Sequence, residues 1–304
     1  MTAMAEPPFR GVFCAAATPF DADLKPDADR LIAHCRFLLD EGCHGIALLG
    51  STGEANSLSL DERMALLERV VEAGIPPDRL LPGTGVSAYP ETVALTRHAL
   101  SLGVTRVVML PPFYYKGIPD QGMIDSYARI VEEVADPRLG VIFYHIPPIA
   151  QIPIPFPVIE ALLGRYPGSF VGIKDSGGQL DNMLGLVERF PGLAVLPGAD
   201  PLMLPLLQKG GAGCITATSN LLARDLRTVF DFYDDPGRTL DVEAAQARIV
   251  GLRTISNTYA QLPTIKALIA RRTGDDGWLR VRPPFVSLSD EERASLDALV
   301  AAAG

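Results

Sequence analysis

The sequence predicts an α/β fold, a (β/α)8 (TIM) barrel with a helical appendage at its C-terminal end. Three observations carry that expectation. Short apolar runs alternate with longer amphipathic stretches from residue 11 to residue 233, eight of each. Gly42, Gly74, Gly103 and Gly210 follow helical stretches, where a glycine commonly closes a helix. No low-complexity segment or Ser/Gly-rich linker divides the chain. Strands alternating with helices imply a parallel sheet. Eight units over about 225 residues match a closed barrel, which takes ~250, better than a doubly wound sheet. The doubly wound alternative would show fewer strands and a glycine fingerprint after the first, and neither holds.

Taken in order, the apolar runs are 11–17, 45–49, 80–83, 106–110, 140–145, 170–174, 194–197 and 213–217. Each is short enough to be a strand and continuous enough to be buried on both faces, as a parallel sheet requires. The helical stretches are 27–41, 60–73, 90–102, 121–135, 157–166, 180–190, 202–209 and 221–233. Ser59 before Asp61 and Glu62 reads as an N-cap with acids in the first turn. From about residue 236 the β pattern stops, and helices are expected at 242–259, 263–272 and 289–303. Residues 1–235 are therefore assigned to the barrel and 236–304 to a helical extension packed on it.

The chain has 304 residues, 48% hydrophobic and 21% charged, which is ample core material for a globular protein. No apolar run reaches the length of a membrane span. Residues 1–8 have neither a basic start nor an apolar core, so no secretory leader is expected there. Cys14, Cys35, Cys43 and Cys214 are scattered, without metal-ligand spacing. Cys14 and Cys214 lie in apolar runs and suit a reduced, cytoplasmic compartment. The formal charge of −9 argues against nucleic acid as the main partner. No metal cluster, phosphate loop or Ser-His-Asp set stands out, and neither a metal nor a cofactor is expected.

The stretch that organises the chemistry is Phe170-Val171-Gly172-Ile173-Lys174-Asp175-Ser176-Gly177-Gly178. A strand-end lysine ordinarily snorkels to solvent. In a barrel, however, strand C-termini face the active-site mouth. A desolvated lysine there can serve as an amine nucleophile toward ketones. Gly50-Ser51-Thr52-Gly53-Glu54 follows the second predicted strand; two hydroxyls and backbone N–H groups between glycines form a nest suited to a carboxylate or phosphate, although such a run also makes an ordinary turn. Tyr144 ends the fifth strand and offers a phenol for proton relay, or else an amphipathic side chain at the barrel rim. The tandem Tyr114-Tyr115 after Pro111-Pro112 reads on its own as a packed or interface loop. Glycines near 210–213, before Thr216, let a ligand approach the backbone closely or simply end a helix. His34, His44 and His98 lie away from strand ends and read as structural, while His145 lies near the mouth without an evident metal partner. Lysine, phenol and hydroxyl-rich nest together suit Schiff-base chemistry on a 2-oxo acid.

Thr18-Pro19-Phe20, Gly50-Ser51-Thr52-Gly53-Glu54, Pro112-Phe113-Tyr114-Tyr115, Tyr144-His145-Ile146-Pro147 and Gly172-Ile173-Lys174-Asp175 occur in an order that resembles the dihydrodipicolinate synthase / N-acetylneuraminate lyase family of class I aldolases, over essentially the whole chain. The resemblance implies that Lys174 is the Schiff-base lysine, Tyr144 the proton-relay phenol and Tyr114 a tyrosine donated across a dimer interface. It implies that Ser51 and Thr52 bind the pyruvyl carboxylate, with Ser51 also catalytic. Gly53, Gly198, Asp200, Thr216 and Ile149 are expected around the substrate. A homotetramer built as a dimer of dimers is implied as well. Pyruvate and an aldehyde would be the small-molecule partners, with no nucleic acid and no membrane.

Departures from the family pattern bear on the substrate. In synthases of the family an arginine after the Tyr-x-x-Pro segment binds the second substrate's carboxylate, and here Ile149 stands in that place. An aliphatic side chain forgoes a bidentate ion pair worth roughly 2–5 kcal/mol. The lyase pattern is incomplete too: its acidic pair is half matched by Asp200-Pro201, its serine corresponds to Ala217, and its usual asparagine is His145. The expected function is a pyruvate-dependent class I aldolase cleaving or forming a 4-hydroxy-2-oxo acid. The alternatives are 4-hydroxy-tetrahydrodipicolinate synthase, a 2-oxo sugar-acid dehydratase using the same imine, or a non-catalytic binding protein on the same scaffold.

Overall fold

A computed structural model describes residues 9–303. Residues 1–8, where no leader is expected, lie outside the described residues. In chain order the elements are β1 (Gly11–Ala15), α1 (Ala28–Asp40), β2 (Gly45–Ala47), α2 (Leu60–Glu72), α3 (Tyr89–Ser101), β3 (Arg106–Met109), α4 (Asp120–Val134), β4 (Gly140–His145), α5 (Pro147–Ala150) and α6 (Phe156–Arg165). They continue with β5 (Phe170–Asp175), α7 (Leu180–Arg189), β6 (Ala194–Pro197), α8 (Met203–Leu207), β7 (Gly213–Thr216), α9 (Ser219–Phe232), α10 (Thr239–Ser256), α11 (Gln261–Thr273) and α12 (Asp290–Ala303).

Every helix expected from periodicity forms, and so do all the expected strands except 80–83. That run makes a single parallel bridge, Gly83 to Val108. Val108 N–H donates to Pro82 O at 2.9 Å and Thr84 N–H to Val108 O at 3.0 Å. Pro82 has no N–H to extend the ladder, so the pairing stops there. The short helix α5 was not anticipated; Pro147 and Pro148 occupy its first turn, where a missing N–H costs nothing. The four helix-closing glycines all have positive φ, between 83 and 103°. Ser59 and Glu62 form a reciprocal capping box at the start of α2.

The described residues divide into two compact units, 9–11 with 76–215 and 12–75 with 216–303. The first contains a parallel sheet in the order β3-β4-β5-β6, so sequential strands lie side by side. Val107, Met109, Val141, Ile142, Phe143 and Ile173 are fully buried, as strands covered on both faces demand. Phe143 stacks on Phe170 at 4.7 Å, and Tyr127 meets Phe143 edge-on at 5.2 Å. Gly172 is required where β5 passes β6: a Cβ there would lie 2.8 Å from Ala194 O.

In the second unit β1 and β2 pair in parallel, with Cys14 opposite Ile46. Helix α10 packs on α9 and α12, and α11 on α9. Ala17, Ala217, Ile265, Ile269 and Trp278 form one buried cluster. Asn220 works as a clamp: its Oδ1 accepts from Ala17 N–H, and its Nδ2 donates to Ala15 O and Ala217 O at 2.8 and 2.7 Å. His34 joins it, with Nε2 2.8 Å from Asn220 Oδ1. The structural role expected of His34 is therefore what the fold gives it. All four cysteines are free and buried. Among the described residues no helix is long and apolar enough to cross a membrane.

Candidate active site

Lys174 and Tyr144 meet on adjacent strands of the first unit. They are direct register partners, Tyr144 on β4 and Lys174 on β5. Both are buried, Lys174 at 6% exposure, so the strand-end lysine does not snorkel to solvent. Its Nζ stands 4.2 Å from the centre of the Tyr144 ring. The ring face packs against the amine end of the side chain, in a place that water hardly reaches. The parallel register dictates this contact: side chains opposite one another on neighbouring strands point to the same face.

One residue further along, His145 is the register partner of Asp175. Asp175 is fully buried, and its carboxylate is satisfied locally. Oδ1 accepts from Gly177 N–H and Oδ2 from Asn182 Nδ2, both at 2.7 Å. Ile154 N–H donates to His145 Nδ1 at 3.1 Å, which leaves the ring proton on Nε2. Burial lowers the His145 pKa from its ordinary value, and the neighbouring Asp175 carboxylate partly offsets that. His145 is thus a neutral bracket between the end of β4 and the segment carrying Ile154. With Asp175 it holds the backbone on both sides of the Tyr144–Lys174 pair.

Gly198 and Asp200 follow β6 in the same unit. Gly198 N–H donates to Asp175 O at 2.7 Å, and a Cβ at 198 would lie 1.9 Å from Ser176 Oγ. Only glycine fits so near the turn after Lys174. Asp200 is fully buried at the head of a short 3-10 turn, Asp200–Leu202. Tyr114 and Ile149 are not buried in this unit: they are 71% and 68% exposed. Tyr114 meets Tyr115 edge-on at 5.3 Å. The two loops are tied together, because Lys116 Nζ donates to Ala150 O at 2.6 Å and also to Phe113 O.

Ser51, Thr52 and Gly53 belong to the second unit, after β2. Glu54 N–H donates to Ser51 O at 3.2 Å and Ala55 N–H to Gly50 O at 3.1 Å, which closes the loop on itself. Thr18 Oγ1–H donates to Gly53 O at 2.7 Å. A Cβ at 53 would stand 3.0 Å from Ala16 O, so the glycine allows this close approach. Two non-glycine residues with left-handed backbone bracket the loop, Leu49 with φ 57° and Glu54 with φ 54°. Such positions are sparsely populated and concentrate at functional sites. Thr216, in the same unit, is buried, and its hydroxyl is hydrogen-bonded to Ser219 Oγ.

The chain matches the Dihydrodipicolinate synthetase family over residues 8–303. It belongs to that family. A protein described as an uncharacterized DapA-like lyase in Chloroflexus aurantiacus is 38% identical over 296 residues, 97% of this chain and 96% of the relative. The crystal structure of dihydrodipicolinate synthase from Agrobacterium tumefaciens superposes with a TM-score of 0.87 at 28% identity, covering 96% of this chain and 98% of that one. YagE from E. coli K12, a prophage protein of the same family solved in complex with pyruvate, superposes at 0.88 with 23% identity, covering 97% and 99%.

This member of the dihydrodipicolinate synthetase family therefore has the (β/α)8 barrel with C-terminal helices, and it is an enzyme of a lyase family. Among the described residues no group of three or more His, Cys, Asp or Glu could hold a metal ion. The sequence reading missed two groups that support the loops. One is the His145–Asp175–Asn182 bracket; its signal was Asp175 directly after an apolar strand. The other is a buried ion pair in the second unit, Lys266 Nζ to Glu54 Oε1 at 2.6 Å. Its signal was a lone lysine inside the otherwise apolar helical run from Ile265 to Ala270.

Proposed function

We propose that this protein is a pyruvate-dependent class I aldolase that cleaves or forms a 4-hydroxy-2-oxo acid through an imine on Lys174. The observation that carries the reading is the buried Lys174 with its Nζ 4.2 Å from the Tyr144 ring centre, at strand ends of a lyase-family barrel. The Lys174 amine adds to the C2 carbonyl, and the carbinolamine loses water to give an iminium. In the cleavage direction the C4 hydroxyl loses its proton and the C3–C4 bond breaks. Its electron pair moves through C3 and C2 to the iminium nitrogen, leaving an enamine and an aldehyde. Protonation at C3 and hydrolysis then release pyruvate and regenerate the amine. Tyr144 is assigned the proton transfers at the carbinolamine and the C4 hydroxyl.

Ser51, Thr52 and Gly53 are assigned the substrate carboxylate on the strength of their motif, and the nest-like loop supports that role. Gly198, Asp200 and Thr216 are assigned to the substrate's remaining contacts. Ile149 is assigned to the aldehyde part; an aliphatic side chain there suits an uncharged tail. Exposed Tyr114, Tyr115 and Ile149 on two tethered loops suit an interface with a second copy, through which Tyr114 would act, in a cytoplasmic homotetramer. The synthase reading is supported by the 28% identical Agrobacterium enzyme but lacks the carboxylate-binding arginine.

Incubation with pyruvate and borohydride, followed by peptide mapping, tests the imine. A stable adduct on Lys174, lost in Lys174→Ala, is expected; no adduct, or one elsewhere, refutes it. Product analysis then separates the outcomes, since an aldolase releases pyruvate and an aldehyde, whereas a dehydratase releases water and the dehydrated 2-oxo acid but no pyruvate.

A further inference from the structure

We infer that the buried Lys266–Glu54 pair locks the Ser51–Gly53 loop in its anion-binding shape, so that Lys266 on α11 is a positioning residue for the substrate carboxylate. The inference rests on the proposed role of that loop as the carboxylate nest. A loop between two left-handed residues, Leu49 and Glu54, stays in shape only if its surroundings over-determine it. Glu54 is held by both carboxylate oxygens. Oε1 accepts from Lys266 Nζ at 2.6 Å and Oε2 from Arg282 N–H at 2.9 Å, with both side chains of the ion pair fully buried.

The other flank is tied through the same group. Lys266 Nζ lies 4.4 Å from the ring centre of Phe20, and two residues earlier Thr18 holds Gly53 O. Between these anchors the N–H groups of Thr52 and Gly53 donate to nothing among the described residues, so they are free for an anion. A buried ion pair is a poor source of net stability, since apolar side chains of equal volume often do as well. What apolar packing cannot supply is a two-pronged hold on one strained backbone residue. Burial lowers the Lys266 pKa to about 8, with the Glu54 carboxylate pulling it back up, so the pair survives at neutral pH.

The test compares borohydride trapping of two ketones on Lys174: pyruvate, and acetone, which lacks the carboxylate. In Glu54→Gln and in Glu54→Gln/Lys266→Met, the preference for pyruvate over acetone is expected to fall at least tenfold while acetone trapping stays within threefold. An unchanged preference in the folded variants overturns the inference, and so does an equal loss of both ketones, which marks general destabilisation. The double substitution Ser51→Ala/Thr52→Val separates the two levels of argument. If it leaves the preference intact, the nest itself is refuted; if it alone lowers the preference, only the role of the ion pair is refuted. Should the pair variants not fold, amide hydrogen exchange on the native protein decides. Glu54 and Ala55 are expected to exchange as slowly as the amides of β1, and exchange a hundredfold faster overturns the inference.

Discussion

His34 gives the sharpest quantitative prediction. Its ring is buried at 4% exposure, 4.9 Å edge-on from Trp278 and stacked on Phe37 at 6.2 Å. Asn220 Oδ1 can only accept, so Nε2 of His34 carries the proton and Nδ1 is bare, 3.4 Å from Arg272 Nη2. A second proton would have to sit on Nδ1, against a guanidinium and away from water. Burial, and secondarily Arg272, accordingly lower the His34 pKa from 6.5 to about 4. The unfolded chain then binds more protons than the folded one between these values. Stability is full above about pH 6.5 and is lost as pH falls toward 4, by about 3 kcal/mol in all and about 2.5 kcal/mol by pH 4.5. His34→Gln keeps an N–H for Asn220 but cannot titrate. Urea unfolding of both proteins at pH 7 and pH 4.5, followed by the fluorescence of Trp278, the single tryptophan, isolates this term from other acid-titrating groups. Wild type should lose about 2–3 kcal/mol more than His34→Gln on acidification. Equal losses, within about 0.5 kcal/mol, would show that His34 does not fold as the neutral ring inferred from its contacts.

Other substitutions probe the site and its frame. Tyr144→Phe should keep the ring under Lys174 but lower kcat by about 100-fold to 10,000-fold, measured as pyruvate release; unaltered turnover would remove the phenol from the proton path. Ile149→Arg should raise kcat/KM for aldehydes bearing a carboxylate relative to uncharged ones, by roughly tenfold or more; an unchanged ratio would show that this exposed position does not set specificity. Gly198→Ala should cost about 1–3 kcal/mol in urea unfolding, because its Cβ meets Ser176 Oγ at 1.9 Å. Adding Ser176→Gly should recover most of that loss, and no recovery would mean the clash lies elsewhere.

The order of elements was legible because it depends on local patterning. Continuous apolar runs, 3.6-residue periodicity and glycine punctuation survive in one dimension, and they placed every helix longer than one turn. The exception, 80–83, failed because Pro82 removes a ladder donor that apolarity alone cannot reveal. Lys174, Tyr144 and the Ser51–Gly53 loop were legible as candidates, since they sit at the ends of elements, where a polar residue interrupts an apolar run. The contacts that support them were not. Lys266 and Glu54 are 212 residues apart, and His34 and Asn220 are 186 apart. No periodicity links such pairs. Only the closing of the chain determines that one lysine within an apolar helix meets the Glu54 carboxylate, or that the register of β4 and β5 sets a lysine amine over the face of a phenol ring rather than against solvent. The sequence by itself determined the order of the elements and which reactive side chains stand at strand ends. The tertiary structure decided which of its charged groups are buried, and burial is what makes their partners matter.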